Sequence, residues 1–348
     1  MKKIIFILII FILSSVCIEA VSLPHWNKYK EMNILYILET SERVNFFAVR
    51  YNSFDKFIKV CLIDENISVV SSSKNKKLKP LKDIFFETEY DKRIPVAKTE
   101  IEKIFNNKIK FDRYILFDDK FLNKLVTIFS DKKNLRENTE MLSIIYSDND
   151  RYNADIASIK ILNGIYGNIN RWNIISLLKS FYNKDFVLRT NFGLKDLLLS
   201  YASILNENKT FKYADVPVIN KRNTLRVDTV GVEKIINFLL YDKYNYDNEK
   251  LRIEILNTTG KSRLAIKAAD KLRENGFDVF DWGSGTRKYN FTVIFDFADN
   301  YGNAAEIKKI LNCGEVIFKP EEREYTDISV QLGNDCVIYD KLDRTIYK

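Results

Sequence analysis

The chain has 348 residues, 46% of them hydrophobic and 13% aromatic, which is material for two cores and too apolar for a disordered polymer. Its formal charge of +8 comes from 55 Lys and Arg against 47 Asp and Glu interleaved along the chain. That pattern argues against a nucleic-acid partner, whose binder concentrates its basic residues on one element. A single histidine, His25, excludes His-centred triads and His metal sites from the folded body.

Behind Lys2 and Lys3 an apolar run, Ile4–Ile18, is followed by Ala20. A basic start, an apolar stretch and a nearby small residue describe an export segment. The run is shorter than the ~20 residues of a comfortable spanning helix. Residues 1–22 are therefore read as a signal peptide cleaved after Ala20 or as an N-terminal membrane anchor. Both readings leave the remainder extracytoplasmic, in the periplasm or at the cell surface. Val16 is too bulky for the usual lipidation of Cys17.

Three β-runs are expected at Asn33–Leu38, Phe46–Tyr51 and Lys59–Ile63. The basic run Ser71–Lys82 reads as a solvated loop. Helical spacing follows at Val96–Asn106, then a strand, Arg113–Asp118, and a helix, Lys120–Phe129. Asp118 and Asp119 stand at that strand-to-helix turn, where capping is their natural role. Leu135–Ser147 is ambiguous between strand and helix. Asp155–Tyr182 reads as an interrupted helix, Thr190–Asn208 as an amphipathic one and Phe211–Val218 as a strand. The polar stretch Tyr241–Lys250 reads as a linker, which gives a first domain over 30–240 and a second over 250–348. Strands and helices alternate on both sides of it, so the fold class is α/β twice over.

In the second domain Ile253–Leu256 reads as a strand with a turn at Asn257–Gly260. Leu264, Ala268 and Leu272 line one face of a helix that Gly276 stops. Strands are expected from Phe277, at Tyr289–Phe297 and at Thr326–Cys336, with a helix at Asn303–Leu311. GSGTRK (Gly283–Lys288) lacks the ending and the following helix of a phosphate loop and reads as a turn. No CxxC pair exists, so no zinc cluster is expected. In an oxidising compartment Cys313 and Cys336 can pair, while Cys61 reads as a buried free thiol.

The turn Ile255–Ala265 (including Asn257, Gly260 and, where Gly is usual, Arg263), the phrase through Gly276, Phe277 and Val279, Thr292-Val293 and the closing Leu332, Gly333 and Asp335 resemble the LytR C-terminal domain. That module often follows a LytR-CpsA-Psr catalytic domain, and scaffolding phrases of the first domain resemble one. NILYILETSERVNFFAVRY resembles its opening strand pair, RYILFDDKFLNKLV its middle strand and helix, and Leu188–Leu205 its late helix. The resemblance implies two α/β domains, the first a mixed sheet with flanking helices. It also implies transfer of a glycopolymer from a lipid pyrophosphate to peptidoglycan, using arginines, carboxylates and Mg²⁺ or Mn²⁺.

The chemistry departs from the family. Glu39 is an imperfect stand-in for the first acid, and Asn45 replaces the second. Asp64 and Glu65 occupy the phrase that should carry an arginine, and the later arginine phrase falls on Asp155–Ile159, through Ser158, without one. Reversed charge beside a pyrophosphate costs several kcal/mol. One expectation is thus a non-catalytic envelope protein with no cofactor, binding a polyprenyl-linked glycan or peptidoglycan and touching the membrane only if its N-terminal segment is kept. The alternative is an active, divergent phosphotransferase using Arg43, Arg50 or Arg151. A third is an unrelated secreted α/β protein carrying the end module alone. Arginines converging with two acids in one pocket would favour the enzyme.

Overall fold

The structure, a computed structural model, describes residues 31–41, 43–52, 55, 57–70, 77–130, 135–147, 151–167, 176, 186–192, 210–221, 224–241, 251–321, 323 and 325–338. The export segment, His25, the helix expected at Thr190–Asn208 beyond its first residues and most of the linker lie outside them.

The chain opens with β1 (Glu31–Glu39), β2 (Val44–Asn52) and β3 (Phe57–Ile63), antiparallel neighbours in register from Glu31↔Asn52 to Glu39↔Val44. A small hairpin of β4 (Ser68–Val70) and β5 (Leu78–Pro80) leads into helix α1 (Leu81–Glu87). The basic run read as a loop thus ends in a strand and a helix start, where Leu81 is buried in the core. Then come α2 (Arg93–Ile104), β6 (Arg113–Asp118), α3 (Asp119–Phe129), α4 (Leu135–Ser147) and α5 (Arg151–Gly167). Leu135–Ser147 resolves as a helix, its Met141, Leu142 and Ile145 buried at helical spacing. Strands β7 (Leu188–Thr190), β8 (Thr210–Asp215), β9 (Val218–Lys221) and β10 (Thr224–Val227) precede α6 (Thr229–Leu240), a helix with one buried face that was not expected from the sequence.

The end segment supplies β11 (Ile253–Asn257), α7 (Leu264–Arg273), β12 (Val279–Ser284), β13 (Val293–Asp296), α8 (Tyr301–Leu311), β14 (Glu315–Phe318) and β15 (Ile328–Leu332). Strand β14 was not expected: it is buried throughout and lacks the alternation of a half-exposed strand. It is also the hinge of the architecture. It pairs parallel with β8 through Ile317↔Tyr213 and Phe318↔Ala214, so a single sheet of order β12-β11-β15-β13-β14-β8-β3-β2-β1-β6-β7 crosses the expected linker.

Alternation along β1 sorts its side chains to two faces, as period 2 requires. Ile34 and Leu38 face a core that includes α3, α4 and α5, and Leu35 and Ile37 face one that includes α1, α2 and α6. The first of these cores continues across the seam into Tyr289, Val293, Phe295, Phe297 and Ile317. A third core, with Leu264, Ala268 and Leu272 from α7 and Ala304, Ile307 and Leu311 from α8, belongs to the end segment alone. Cys313 and Cys336 are disulfide-bonded beside it, and Cys61 is a buried free thiol.

Local chemistry explains several motif residues. Asn257 Oδ1 accepts from the backbone N–H of Thr259 at 3.0 Å, and Gly260 takes φ +76, so the turn needs a polar side chain and then a glycine. Arg263 lies in the left-handed region at φ +60, which accounts for the glycine usual at that position. Gly333 is pressed on the backbone of Phe291 and Thr292, where a Cβ would come within 2.2 Å of the Phe291 carbonyl carbon. Asp335 then accepts from the Thr292 backbone N–H at 2.7 Å and pairs with Lys160 of α5 at 2.7 Å, so the closing motif also ties the end segment to the first.

Candidate functional site at the carboxyl edge of the sheet

Because β2 runs antiparallel to both neighbours, β1, β3, β6, β8, β13 and β14 all point the same way. Their carboxyl ends form one edge, the usual place for ligands in an open α/β sheet. Each of those strands delivers a charge there. In spatial order the row reads Asp296, Lys319, Asp215, Asp64 with Glu65, Glu39 and Asp118.

Arg151, the first residue of α5, reaches into the middle of this row. Its Nη1 donates to Asp64 Oδ2 at 3.0 Å, its Nη2 donates to Asp215 Oδ1, and its Nε lies 3.1 Å from Asp155 Oδ2. Asp64 also accepts from the Asn66 backbone N–H at 2.8 Å, and the Tyr152 hydroxyl lies 3.4 Å from Asp215 Oδ2. All three acids are buried. Burial pushes the Asp155 carboxyl up to about 7 despite Arg151, and burial likewise raises Asp215. For Arg151 burial works against the charge, but Asp215, Asp155 and Asp64 outweigh it and hold the guanidinium well above its ordinary value.

Flanking pairs continue the row. Glu65 accepts from the Val44 backbone N–H at 2.9 Å and from Arg43 Nε at 3.4 Å. Glu39 accepts from Arg93 Nη1 at 2.5 Å, and Arg93 lies over the rings of Phe85, Phe86 and Tyr90. Asp118 caps α3, accepting from the Phe121 backbone N–H at 2.9 Å.

The sequence-level candidates separate cleanly. Asp64, Glu65, Asp155, Arg43 and Arg151 come together, and Glu39 stands further along the same edge. Arg50 does not belong: it donates to Glu31 and Asn33 at the opposite end of the strands. Asn45 faces no charged partner among the hydrogen bonds described. Ser158 donates to the Ala154 carbonyl at 2.8 Å within its own helix, so its hydroxyl is spent on the backbone. Asp215, Tyr152 and Arg93 were missed; for Asp215 the available signal was an acid at a strand end, as at Asp118. Among the described residues no three His, Cys, Asp or Glu side chains could hold a metal ion.

Behind the edge lies an apolar cavity of about 260 Å³ between the sheet and helices α3 to α5. Leu38, Phe117 and Ser158 line it, and each lies within a helical turn or one residue of a charged edge residue: Glu39, Asp118 and Asp155.

Asp296, at the edge in the end segment, is 1% exposed, and its Oδ2 has no hydrogen-bond partner. Burial pushes it up to about 7, against the backbone N–H groups of Asn300 and Ala298. With a folded value above the ~3.9 of an unfolded aspartate, its stabilising effect is complete below about pH 4 and is lost as pH rises towards 7. Asp155 acts with the same sign. The chain is therefore expected to resist urea better at pH 5 than at pH 7.5, and Asp296→Asn to flatten that slope and raise stability at pH 7.5. An unchanged slope in the variant would contradict this.

Residues 250–335 match the family model described as LytR cell envelope-related transcriptional attenuator, so the chain carries a LytR C-terminal domain. No curated protein matches the chain in sequence. Its fold is similar to that of a transcriptional regulator (EF0465) from Enterococcus faecalis, at 11% identity and TM-score 0.49 over 61% of this chain and 87% of that one. It is also similar to B. subtilis TagT, at 12% identity and TM-score 0.46 over 61% and 91% of the two chains. For B. subtilis TagV the figures are 14%, 0.44, 60% and 96%. TagT has also been solved bound to LI-WTA.

No helix among the described residues is long and apolar enough to cross a membrane.

Proposed function

We propose that the chain is an extracytoplasmic, LytR-CpsA-Psr-like cell-envelope protein that binds a lipid-linked anionic glycan without transferring it. The observation that carries this reading is the adjacency of an apolar cavity to a charged strand edge. An amphiphile with an isoprenoid tail and a diphosphate head has that division of chemistry. At about 260 Å³ the cavity is near the lower end of ligand pockets, ~300 Å³, and so suits one branched chain better than a bulky ring system.

The case against turnover rests on Arg151. Transfer from a diphosphate needs cationic donors free to take up charge as the leaving group departs. Arg151 meets three carboxylates already, and Arg43 meets Glu65. Arginine and acids nevertheless converge, which favours a divergent phosphotransferase as the second reading. That reading would need Mg²⁺ or Mn²⁺ to free Arg151, and the described residues offer no three-ligand group to hold it.

Purified protein incubated with a polyprenyl-diphosphate-linked glycan and either metal decides between them. Saturable binding with no release of the lipid diphosphate is the expected result. Turnover that survives repurification and disappears in Asp64→Ala would establish the enzyme instead.

A further inference from the structure

The first domain lacks the arginines that its resemblance implies, yet the end domain sets two cations, Arg287 and Lys319, beside Tyr152 of the first. After β12 the chain is pinned at Gly285, whose N–H donates to the Asn257 carbonyl at 2.8 Å and where a Cβ would meet Thr258 at 2.7 Å. It is pinned again at Tyr289, which is buried and donates its N–H to Thr258 Oγ1 at 3.2 Å. The next residue, Asn290, donates its N–H to Asn153 Oδ1 of α5 at 2.9 Å. Between these points Arg287 is exposed, with its guanidinium carbon 5.7 Å from the centre of the Tyr152 ring.

Tyr152 is enclosed from the same side. Its ring packs on Phe295 at 5.6 Å and Tyr289 at 6.3 Å, and Lys319 Nζ lies 5.3 Å from its centre. Lys319 follows Phe318 as Asp215 follows Ala214, so the strand pairing of the two domains sets them side by side. Three cations therefore surround one phenol that also touches Asp215. Arg151 is matched by its three acids and Lys319 by Glu321 at 2.7 Å. Arg287 has no carboxylate partner among the described residues, and its planar fork suits phosphate oxygens.

We propose that the Gly285–Tyr289 loop of the LytR C-terminal domain is an anion-binding arm of the site, with Arg287 taking the diphosphate of the lipid-linked ligand and Lys319 supporting it. The proposal rests on the binding reading above and deepens it: the end domain supplies the charge that the first domain has lost. It also gives GSGTRK a role that its sequence does not announce, since the loop reaches its phosphate through tertiary position and not through a following helix. Because Arg287 is exposed, its contribution weakens as salt rises.

The test is calorimetric titration of the full chain with three probes: farnesyl diphosphate, farnesol and inorganic pyrophosphate. Wild type is expected to bind farnesyl diphosphate more tightly than farnesol. Arg287→Ala should weaken farnesyl diphosphate and pyrophosphate about tenfold or more, by loss of a charge-assisted hydrogen-bond pair, and leave farnesol unchanged. Arg287→Lys should fall between. Arg273→Ala removes one positive charge beside Trp282, remote from Tyr152 in the sheet order, and should have no effect. If Arg287→Ala binds farnesyl diphosphate as wild type does, the arm is refuted and the binding reading stands. If wild type binds none of the probes, the binding reading fails and the arm falls with it.

Discussion

Replacing Arg151 by alanine is expected to lower the stability of the full chain by about 3–5 kcal/mol, the usual cost of leaving buried charges without their partner. Asp64, Asp155 and Asp215 would then face one another without a guanidinium, and none is exposed enough for water to take its place. Arg151→Lys should recover only part of the loss, because the three N–H groups of an ammonium radiate from one atom and cannot span acids that the guanidinium meets with three separate nitrogens. The deficit should shrink below about pH 6, as Asp155, already raised to about 7, takes up a proton and removes one of the repelling charges. Urea denaturation at pH 5.5 and 7.5 measures both effects. A loss under about 1 kcal/mol would be the figure of an exposed pair, and would mean that the acids are solvated and the edge is open.

Leu272→Ala is expected to cost about 2–5 kcal/mol, the range for a fully buried leucine that leaves a cavity. Leu272 has no exposed surface and sits in the last turn of α7 against the end domain's own core. Its carbonyl also accepts from the backbone N–H groups of Asn275 and Phe277, at 3.0 and 3.1 Å, so collapse around the cavity is limited by the helix stop. Ile266 lies on the same helix but is 45% exposed, and Ile266→Ala should stay within about 0.5 kcal/mol. Equal losses at the two positions would show that α7 docks by a different face.

These two residues also mark what the sequence discloses. Leu272 was legible because helical spacing with Leu264 and Ala268 needs only local information, and the same holds for β1 to β3, β6 and the capping role of Asp118. The end module was legible for a related reason: its motif glycines and aspartates answer to backbone demands, such as the positive φ at Gly260 and the close approach at Gly333. Arg151 was flagged only as one of three arginines near the motif positions, since nothing local tells it from Arg50. What separates them is which end of the sheet each occupies, and that depends on strand direction. Asp215 and β14 were missed for the same cause. A strand with only three apolar residues after Glu315 carries no periodicity, and its pairing with β8 joins residues about a hundred positions apart. Arg287 lay inside a stretch read as a turn, and only contacts between distant segments, that pairing and the Asn290–Asn153 hydrogen bond among them, carry it to Tyr152.

A crystal structure of the full chain with farnesyl diphosphate tests the account most directly. The account predicts the isoprenoid in the cavity beside Leu38, Phe117 and Ser158, its diphosphate intact at the carboxyl edge within reach of Arg287, and Arg151 still held by its three aspartates. A diphosphate bound elsewhere, or one seated on an Arg151 that has left those aspartates, would contradict it.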